Sequence, residues 1–201
     1  MFDYDGVIVD SQEVFASAFL TACRVCGYDG IQSQAQFMAL FDGNFYETLK
    51  KLGLSGEKID EILGDAFKQE VRKRIDRVTL FDGIKDVLNA ISPRNVLTVI
   101  TSNVSRTVWQ LFNREGISCF HEVVGAEVEK SKVKKIQKTM SRYQDLPAFY
   151  VGDTKGDMIE GKQAGAVTVA VTWGWHAEKK LREASPDYVV YSPEELKYLF
   201  V

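Results

Sequence analysis

Cysteine, excess charge and long apolar runs are scarce in this sequence, and each scarcity argues against a class of protein. Three cysteines in 201 residues is an odd and low count, which argues against a disulfide framework and favours a reducing cytosol. Cys23 and Cys26 form a C-x-x-C pair inside a helical pattern. We therefore interpret them as core-facing helix residues and not as a redox or metal site.

Membrane and nucleic-acid functions are disfavoured on the same grounds. No apolar run approaches the roughly 20 residues of a membrane span, and the acidic start lacks the basic and apolar regions of a signal peptide. The formal charge is −3, from 25 basic and 28 acidic residues, which argues against electrostatic binding of nucleic acid. We expect a cytoplasmic protein with no membrane or nucleic-acid partner.

The composition is that of an ordinary globular protein, and its patterning changes once along the chain. Hydrophobic residues make up 45% and charged residues 26%, and the length allows one α/β domain with an insertion. The first part shows helical periodicity only. Its expected helices are 10–27, 32–41, 45–52 and 57–75.

From residue 80 onward, short apolar runs alternate with helical patterns. Helices are expected at 84–91, 105–115, 132–143, 158–164 and 193–200, and strands at 96–100, 122–125, 148–152, 167–171 and 187–191. Such alternation predicts a parallel sheet covered by helices on both faces. We therefore predict an α/β fold with a doubly wound parallel sheet made from residues 1–11 and 80–201, interrupted by a helical insertion at residues 12–79.

Polar residues cluster where the strands of this sheet end, which is where ligands bind in such folds. Asp3 and Asp5 follow a very short first strand, and Gly6 permits a sharp turn after them. Two close carboxylates repel each other unless a cation or proton lies between them, and hard oxygen ligands suit Mg²⁺. The alternative without a functional role is a surface Asp-x-Asp-Gly turn, since Asp and Gly are common turn residues.

Three further strand ends contribute groups of the same kind. The second predicted strand ends in Thr101-Ser102-Asn103, Lys132 opens the helix after the third, and the fourth ends in the stretch from Gly152 to Asp157 that contains Asp153. The convergence of carboxylates, hydroxyls and an ammonium at four strand ends argues for a site.

These motifs resemble those of the haloacid dehalogenase superfamily hydrolases, in particular the phosphoglycolate-phosphatase-like branch. The first motif is Phe2-Asp-Tyr-Asp-Gly-Val-Ile-Val-Asp-Ser11, and the fourth is Val151-Gly-Asp-Thr-Lys-Gly-Asp157, about 150 residues later. The resemblance extends over nearly the whole chain. It implies a Mg²⁺-dependent phosphatase acting on a small phosphorylated metabolite through an aspartyl-phosphate intermediate, with residues 12–79 forming a mobile α-helical cap domain.

The resemblance also implies a role for each site residue. Asp3 would be the nucleophile, and Asp5 would protonate the leaving oxygen, activate water and offer its backbone carbonyl to Mg²⁺. Asp153 would complete the protein's metal ligands and Asp157 would support them. The remaining residues would hold the phosphoryl group or neutralise its charge, and they are Thr101, Ser102, Asn103 and Lys132.

Several assignments have alternatives at this stage. A lysine run surrounds Lys132, and Val133 stands where the family usually carries proline, so Lys130 competes with Lys132. Thr101 could cap the next helix, and Asp157 could be a favourable charge in the first turn of a helix.

Two other functions, the substrate and the assembly state also stay open. A phosphosugar mutase of the same family would share all the motifs. A receiver-type phospho-Asp signalling module is disfavoured, because receivers are shorter and place their lysine last. Candidates for substrate specificity are Arg24, Gly43-Asn44 and Arg72–Arg74. The chain is expected to be a monomer or a homodimer.

The first strand is shorter than central strands of parallel sheets usually are, at about 5–6 residues. Only Met1 and Phe2 precede Asp3. We therefore expect a few native residues to precede Met1.

Overall fold

The computed structural model describes residues 1–201, and a parallel sheet forms its centre. The parallel strands are β3 (Thr98–Ile100), β4 (Glu122–Val124), β5 (Phe149–Gly152), β6 (Val167–Val171) and β7 (Tyr188–Val190). β3 pairs with β4, and β5, β6 and β7 pair in that order. Phe2 bridges in parallel to both Val99 and Val151, which joins the two groups of strands. The resulting order is β4, β3, residues 1–3, β5, β6, β7.

Residues 1–3 are fully laddered at the centre of the sheet although they are few. The Phe2 amide donates to the Thr98 carbonyl at 2.8 Å, and the Phe2 carbonyl accepts from the Ile100 amide at 2.8 Å. On the other side, the Asp3 amide donates to the Val151 carbonyl at 2.8 Å. Phe2 is buried in the largest apolar cluster of the chain. Pairing on both sides therefore holds the backbone of Asp3 in place.

Helices connect these strands largely where the sequence pattern predicts them. They are α6 (Ile84–Ile91), α7 (Ser105–Glu115), α8 (Lys132–Met140), α9 (Lys155–Ala164), α10 (Glu178–Arg182) and α11 (Glu195–Phe200). α9 begins three residues earlier than predicted, because the Thr154 hydroxyl accepts from the Asp157 amide and the Asp157 carboxylate accepts from the Thr154 amide. This reciprocal capping satisfies backbone donors that a helix start leaves free.

The helical segment, residues 12–77, has its own apolar cluster centred on buried residues such as Phe19, Phe37 and Leu40. Its helices are α1 (Gln12–Val25), α2 (Gln34–Ala39), α3 (Phe45–Lys51), α4 (Gly56–Ile62) and α5 (Asp65–Arg72). The single helix predicted over 57–75 is wrong. It breaks between α4 and α5, where Gly64 adopts ψ −137°, a backbone conformation outside the helical region.

A short antiparallel ladder, missed by the sequence pattern, closes the base of the helical segment. β1 (Val9–Asp10) pairs with β2 (Thr79–Leu80), with Val9 opposite Leu80. Two-residue strands carry too little periodicity to be recognised in sequence. The ladder places the residues just before the segment beside the residues just after it.

None of the helices combines the length and the apolarity that a bilayer-crossing helix requires. Cys23 is buried in the helical segment, Cys26 is half-buried at the end of α1, and all three cysteines are free thiols. The prediction that the C-x-x-C pair lies in a helix and packs inward therefore holds fully for Cys23 and in part for Cys26.

Candidate active site

Asp3 is held rigidly at the end of the central strand. Its Oδ1 accepts from the Tyr4 amide at 2.8 Å, and its Oδ2 accepts from Lys132 Nζ at 2.7 Å. The side chain is 8% exposed, so water can reach it only from one side. Burial raises the pKa of Asp3 to about 7, against the opposing effect of Lys132 and with a further rise from Asp157 and Asp5. A carboxylate in this position is oriented for reaction and is costly to leave ionised without a cation.

Asp157 and Lys132 form a buried pair behind Asp3. Lys132 Nζ lies 2.6 Å from Asp157 Oδ1, which also accepts from the Tyr150 hydroxyl at 3.0 Å. Asp157 Oδ2 accepts from the amide and the hydroxyl of Thr154. Burial opposes ionisation of Asp157, but Lys132 outweighs it and lowers its pKa. Asp157 therefore both caps α9 and fixes the ammonium that contacts Asp3.

Asp153 has one oxygen that no protein group satisfies. Its Oδ2 accepts from the Trp175 amide at 2.7 Å, while its Oδ1 is buried without a partner. Burial, followed by Asp157 and Asp3, raises the pKa of Asp153 well above its ordinary value. An unpaired buried carboxylate oxygen beside two other acids is a place where a cation would remove a large energetic cost.

Two glycines allow the chain to close around Asp153. A Cβ on Gly6, which has φ +74°, would lie 1.8 Å from Asp153 Oδ2, and one on Gly174 would lie 2.3 Å from Asp153 Cβ. No side chain fits at either position.

The donor set fits Mg²⁺. Carboxylate oxygens from Asp3, Asp153 and Asp157 lie within 4.8 Å of one another. Hard oxygen ligands and water are what this ion takes in proteins. Because the oxygens of Asp157 already accept bonds from four donor groups, Asp3 and the free oxygen of Asp153 are the side-chain atoms best placed to hold it.

Asp5 lies beside this cluster but its carboxylate points to different partners. Oδ1 accepts from the Ser11 hydroxyl at 2.7 Å, and Oδ2 accepts from Asn103 Nδ2 at 2.6 Å. Burial raises the pKa of Asp5 to about 6, although the Ser11 hydrogen bond lowers it. The family resemblance implies a metal role for the backbone carbonyl of residue 5, and the Asp5 carboxyl group is oriented by two side-chain donors.

The turn 101–103 adds polar groups next to Asp5. Thr101 is fully buried, and its Oγ1 accepts from the Asn103 amide at 3.0 Å. It does not cap α7, whose preceding residue is Val104. Ser102, by contrast, is exposed and lines the cavity at the acid cluster. Thr101 therefore shapes the turn, and Ser102 is the residue of the pair that presents its side chain to the cavity.

Lys135 supports this turn and was overlooked in the sequence, where it reads as one of several surface lysines. It is 1% exposed, and its Nζ donates to the Thr101 carbonyl. Burial, with help from Lys132, lowers its pKa to about 8. Only the helical spacing from Lys132 to Lys135 could have indicated that both lie on the inner face of α8.

Lys130 and Lys132 occupy different places. Lys132 is the first residue of α8 and lies in the acid cluster, whereas Lys130 precedes the helix. Lys130 Nζ lies 3.5 Å from Asp60 and 5.3 Å from the centre of the Tyr46 ring, both in the helical segment. The geometry favours Lys132 as the site lysine.

The segment 42–44 of the helical segment, which begins at the end of a short 3-10 turn after α2, lies against the sheet domain beside the acids. Asn44 Nδ2 donates to Glu160 Oε1 at 2.7 Å, and Asp42 pairs with Lys180 at 2.6 Å. A Cβ on Gly156 would lie 2.5 Å from the Gly43 carbonyl oxygen. Of the specificity candidates, the Gly43-Asn44 pair therefore lies at the site, whereas Arg24 bonds only within α1, to Thr21.

Two cavities meet at this place. The acid cavity, about 50 Å³, is lined by residues that include Asp3, Asp153, Lys132 and Glu160. The aromatic chamber, about 790 Å³, lies between the helical segment and residues 102–107, which include the start of α7. Eight of its 21 lining residues are aromatic, and Arg72 of the specificity candidates also lines it. A reacting group and a bulky neighbour can therefore be held in adjoining spaces.

Comparison with known proteins agrees with this architecture. A family model described as haloacid dehalogenase-like hydrolase matches residues 1–171. A phosphoglycolate phosphatase from Synechococcus elongatus is 26% identical, over 98% of this chain and 93% of its own length. The pyrophosphatase PpaX of Bacillus velezensis is also 26% identical, over 99% and 94%. A haloacid dehalogenase-like hydrolase from Streptococcus pneumoniae superposes with a TM-score of 0.81 at 25% identity, covering 100% of this chain and 96% of that one.

Proposed function

We propose that this chain, which belongs to the haloacid dehalogenase-like hydrolase family, is a Mg²⁺-dependent phosphatase that hydrolyses a small phosphomonoester through an aspartyl-phosphate intermediate. The observation that carries the proposal is the setting of Asp3. Its carboxylate is fixed by the Tyr4 amide and Lys132 at a strand end, beside the unpartnered oxygen of Asp153.

Asp3 attacks the phosphorus atom of the substrate in the first step. The P–O bond to the leaving group breaks, and the carboxyl proton of Asp5 passes to the departing oxygen. With a pKa raised to about 6, Asp5 retains a protonated fraction near neutral pH. In the second step Asp5 takes a proton from water, which attacks the phosphorus and releases phosphate from Asp3. One slow hydrolysis is thus divided into two easier displacements.

Charge stabilisation comes from several fixed groups. Lys132 neutralises Asp3 and a phosphoryl oxygen, and Asp157 keeps the ammonium in place. Ser102 offers its amide and hydroxyl to the phosphoryl group, with the turn held by Thr101 and Asn103. Mg²⁺, held by Asp3, Asp153 and the Asp5 carbonyl, would supply the remaining positive charge. Preorganised charges of this kind are the main source of acceleration in phosphoryl transfer.

We also propose that the two domains predicted from the sequence have separate roles. Residues 1–11 and 80–201 form a doubly wound catalytic domain, and residues 12–79 form a cap that covers it. The separate apolar cluster of the helical segment supports this division. The contacts of Asn44 with Glu160 and of Asp42 with Lys180 support a covering position. The substrate is a small cytosolic phosphate ester.

Phosphate release from a panel of phosphomonoesters tests the function directly. Turnover should require Mg²⁺ and stop when a chelator is added. Acid quenching of the Asp5→Asn variant during turnover should leave a phosphate-sized mass increase on the peptide that carries Asp3. Turnover in the parent without any such adduct in either protein would contradict the covalent route, and the absence of hydrolysis of every ester would contradict the function.

A further inference from the structure

The aromatic chamber opens directly onto the place where the leaving group must depart. Its volume of about 790 Å³ lies within the range of pockets that hold drug-sized ligands. Five residues line both the chamber and the acid cavity, and they are Asp5, Phe41, Phe45, Ser102 and Trp175. Because Asp5 is the proposed proton donor to the leaving oxygen, the group bonded to that oxygen extends from Asp5 into the chamber.

The wall of the chamber next to Asp5 is made of aromatic rings. Phe41 packs edge-on against Trp175 with ring centres 4.8 Å apart, and it stacks on Phe45 at 5.2 Å. These three side chains are only half-buried. Aromatic rings attract other aromatic groups in stacked or edge-on geometry, beyond the effect of the apolar area removed from water. The wall is therefore suited to a planar aromatic group.

A further part of the wall is a half-buried apolar stripe of the helical segment. Leu63, Phe67, Val71 and Ile75 recur at every fourth residue in and around α5, and all four line the chamber. α5 has no fully buried residue, although its apolar side chains lie on one face. Half-exposed apolar side chains that line a cleft together are typical of ligand sites.

The three cationic side chains of the chamber are exposed and have no ion-pair partner. Lys68, Arg72 and Arg106 line it, and no carboxylate lies within ion-pairing distance of them. All three side chains are exposed to solvent, in contrast to the aromatic residues beside Asp5. Such cations attract the phosphate dianion toward the opening.

We propose that the natural substrate is a phosphomonoester whose leaving group carries an aromatic ring, and that this ring occupies the aromatic chamber. The inference rests on the proposed phosphatase function and names the substrate class of that site. A short leaving group, such as glycolate or phosphate, would leave the aromatic wall beside Asp5 exposed to water. An aromatic leaving group covers that wall and gains from the burial of apolar area.

Two alkyl phosphates with leaving alcohols of similar basicity separate binding from intrinsic reactivity. 2-Phenylethyl phosphate carries the ring and ethyl phosphate lacks it. Burial of one ring should raise kcat/KM for 2-phenylethyl phosphate by about 10- to 100-fold, chiefly through a lower KM. Equal kcat/KM for the two esters, or a preference for 2-phosphoglycolate over 2-phenylethyl phosphate, would overturn the inference and leave the phosphatase function standing. Hydrolysis of none of these esters would overturn both.

A matched pair of variants on α5 tests whether the preference for the ring-bearing ester arises at the wall of the chamber. Val71→Asn places an amide on the chamber wall, and Gln69→Asn places the same residue on an exposed position of that helix which does not line the chamber. Val71→Asn should lower the ratio of kcat/KM for the two esters by about 5- to 10-fold, as expected for polar disruption of part of an apolar contact. Gln69→Asn should leave the ratio unchanged. An unchanged ratio in Val71→Asn, with its melting temperature near that of the parent, would overturn the inference.

Discussion

The acid cavity and the aromatic chamber adjoin each other, but the first is lined mainly by charged and polar side chains and the second mainly by apolar ones. Five carboxylates and an ammonium line the acid cavity, a space of about 50 Å³, and nearly all of their buried polar atoms are hydrogen-bonded. The chamber encloses about 790 Å³ and is lined mainly by apolar side chains. The cationic side chains that also line it have no ion-pair partner. The first arrangement holds its side chains in fixed positions, and the second leaves room for a range of shapes. We therefore expect the acid cavity to determine the type of reaction and the chamber to determine the choice of substrate.

Asp3→Asn should have the largest effect and should not discriminate between substrates. An amide cannot act as the attacking group, so kcat should fall more than ~10³-fold for esters that fill the chamber and for esters that do not. Steady-state rates on 2-phenylethyl and ethyl phosphate measure this. The exposed Asp145→Asn serves as the control and should be silent. A loss confined to one ester would mean that Asp3 acts in recognition.

Asp5→Asn should give the next effect, because Asp5 lies on the border of both cavities. Loss of proton transfer typically costs ~10²–10⁴-fold. The loss should be smaller on p-nitrophenyl phosphate, whose leaving group needs no proton, than on ethyl phosphate. Rates of both esters over a pH series are the measurement. Equal losses on the two would remove the general-acid role.

Lys132→Ala should reduce both activity and stability, whereas Lys130→Ala should change neither strongly. Removing Lys132 leaves Asp3 and Asp157 buried without their cation, and breaking a buried pair costs ~3–5 kcal/mol in free energy of unfolding. Lys130 is exposed and 3.5 Å from an exposed Asp60, and such pairs contribute little. Urea unfolding and Mg²⁺-dependent turnover of both variants decide the assignment. The reverse ranking would move the site lysine to position 130.

Substitution of Lys135 should give the smallest effect, and we expect it to change only the free energy of unfolding. Burial lowers its pKa from the ordinary 10.5 to about 8. The folded state therefore binds this proton less tightly than the unfolded chain does, so the penalty is full below pH 8 and fades as pH rises to 10.5.

Lys135→Met removes that penalty. The unfolding free energy of the variant, minus that of the parent, should be about 1–3 kcal/mol more favourable at pH 7 than at pH 10.5. Urea unfolding at both pH values measures the difference, and the exposed Lys138→Met is the control. A difference that does not change with pH would mean that Lys135 is charged and compensated in the fold.

Sequence reasoning located the acids because they sit in contiguous motifs at strand ends. Asp3 and Asp153 could be placed from the alternation of strands and helices together with their residue types, whereas the choice between Lys130 and Lys132 stayed open. The buried role of Lys135 and the bond between Asn44 and Glu160 could not be predicted in this way. Each depends on which face of a helix meets a distant segment, and Asn44 and Glu160 are 116 residues apart. The break at Gly64 was hidden because a single glycine is tolerated inside many helices.

The ladder between Val9–Asp10 and Thr79–Leu80 has a topological consequence. It pairs the two ends of a long insertion, so the insertion leaves and re-enters the sheet domain at adjacent positions, as a tight turn would, whatever its length. Loop-closure entropy grows only slowly with length, and here the closure is already made at the base. We therefore expect that helical segments of other sizes and shapes can be exchanged at this base with little effect on the folding of the sheet domain, so that the proposed substrate range can diverge while the proposed reaction chemistry is retained.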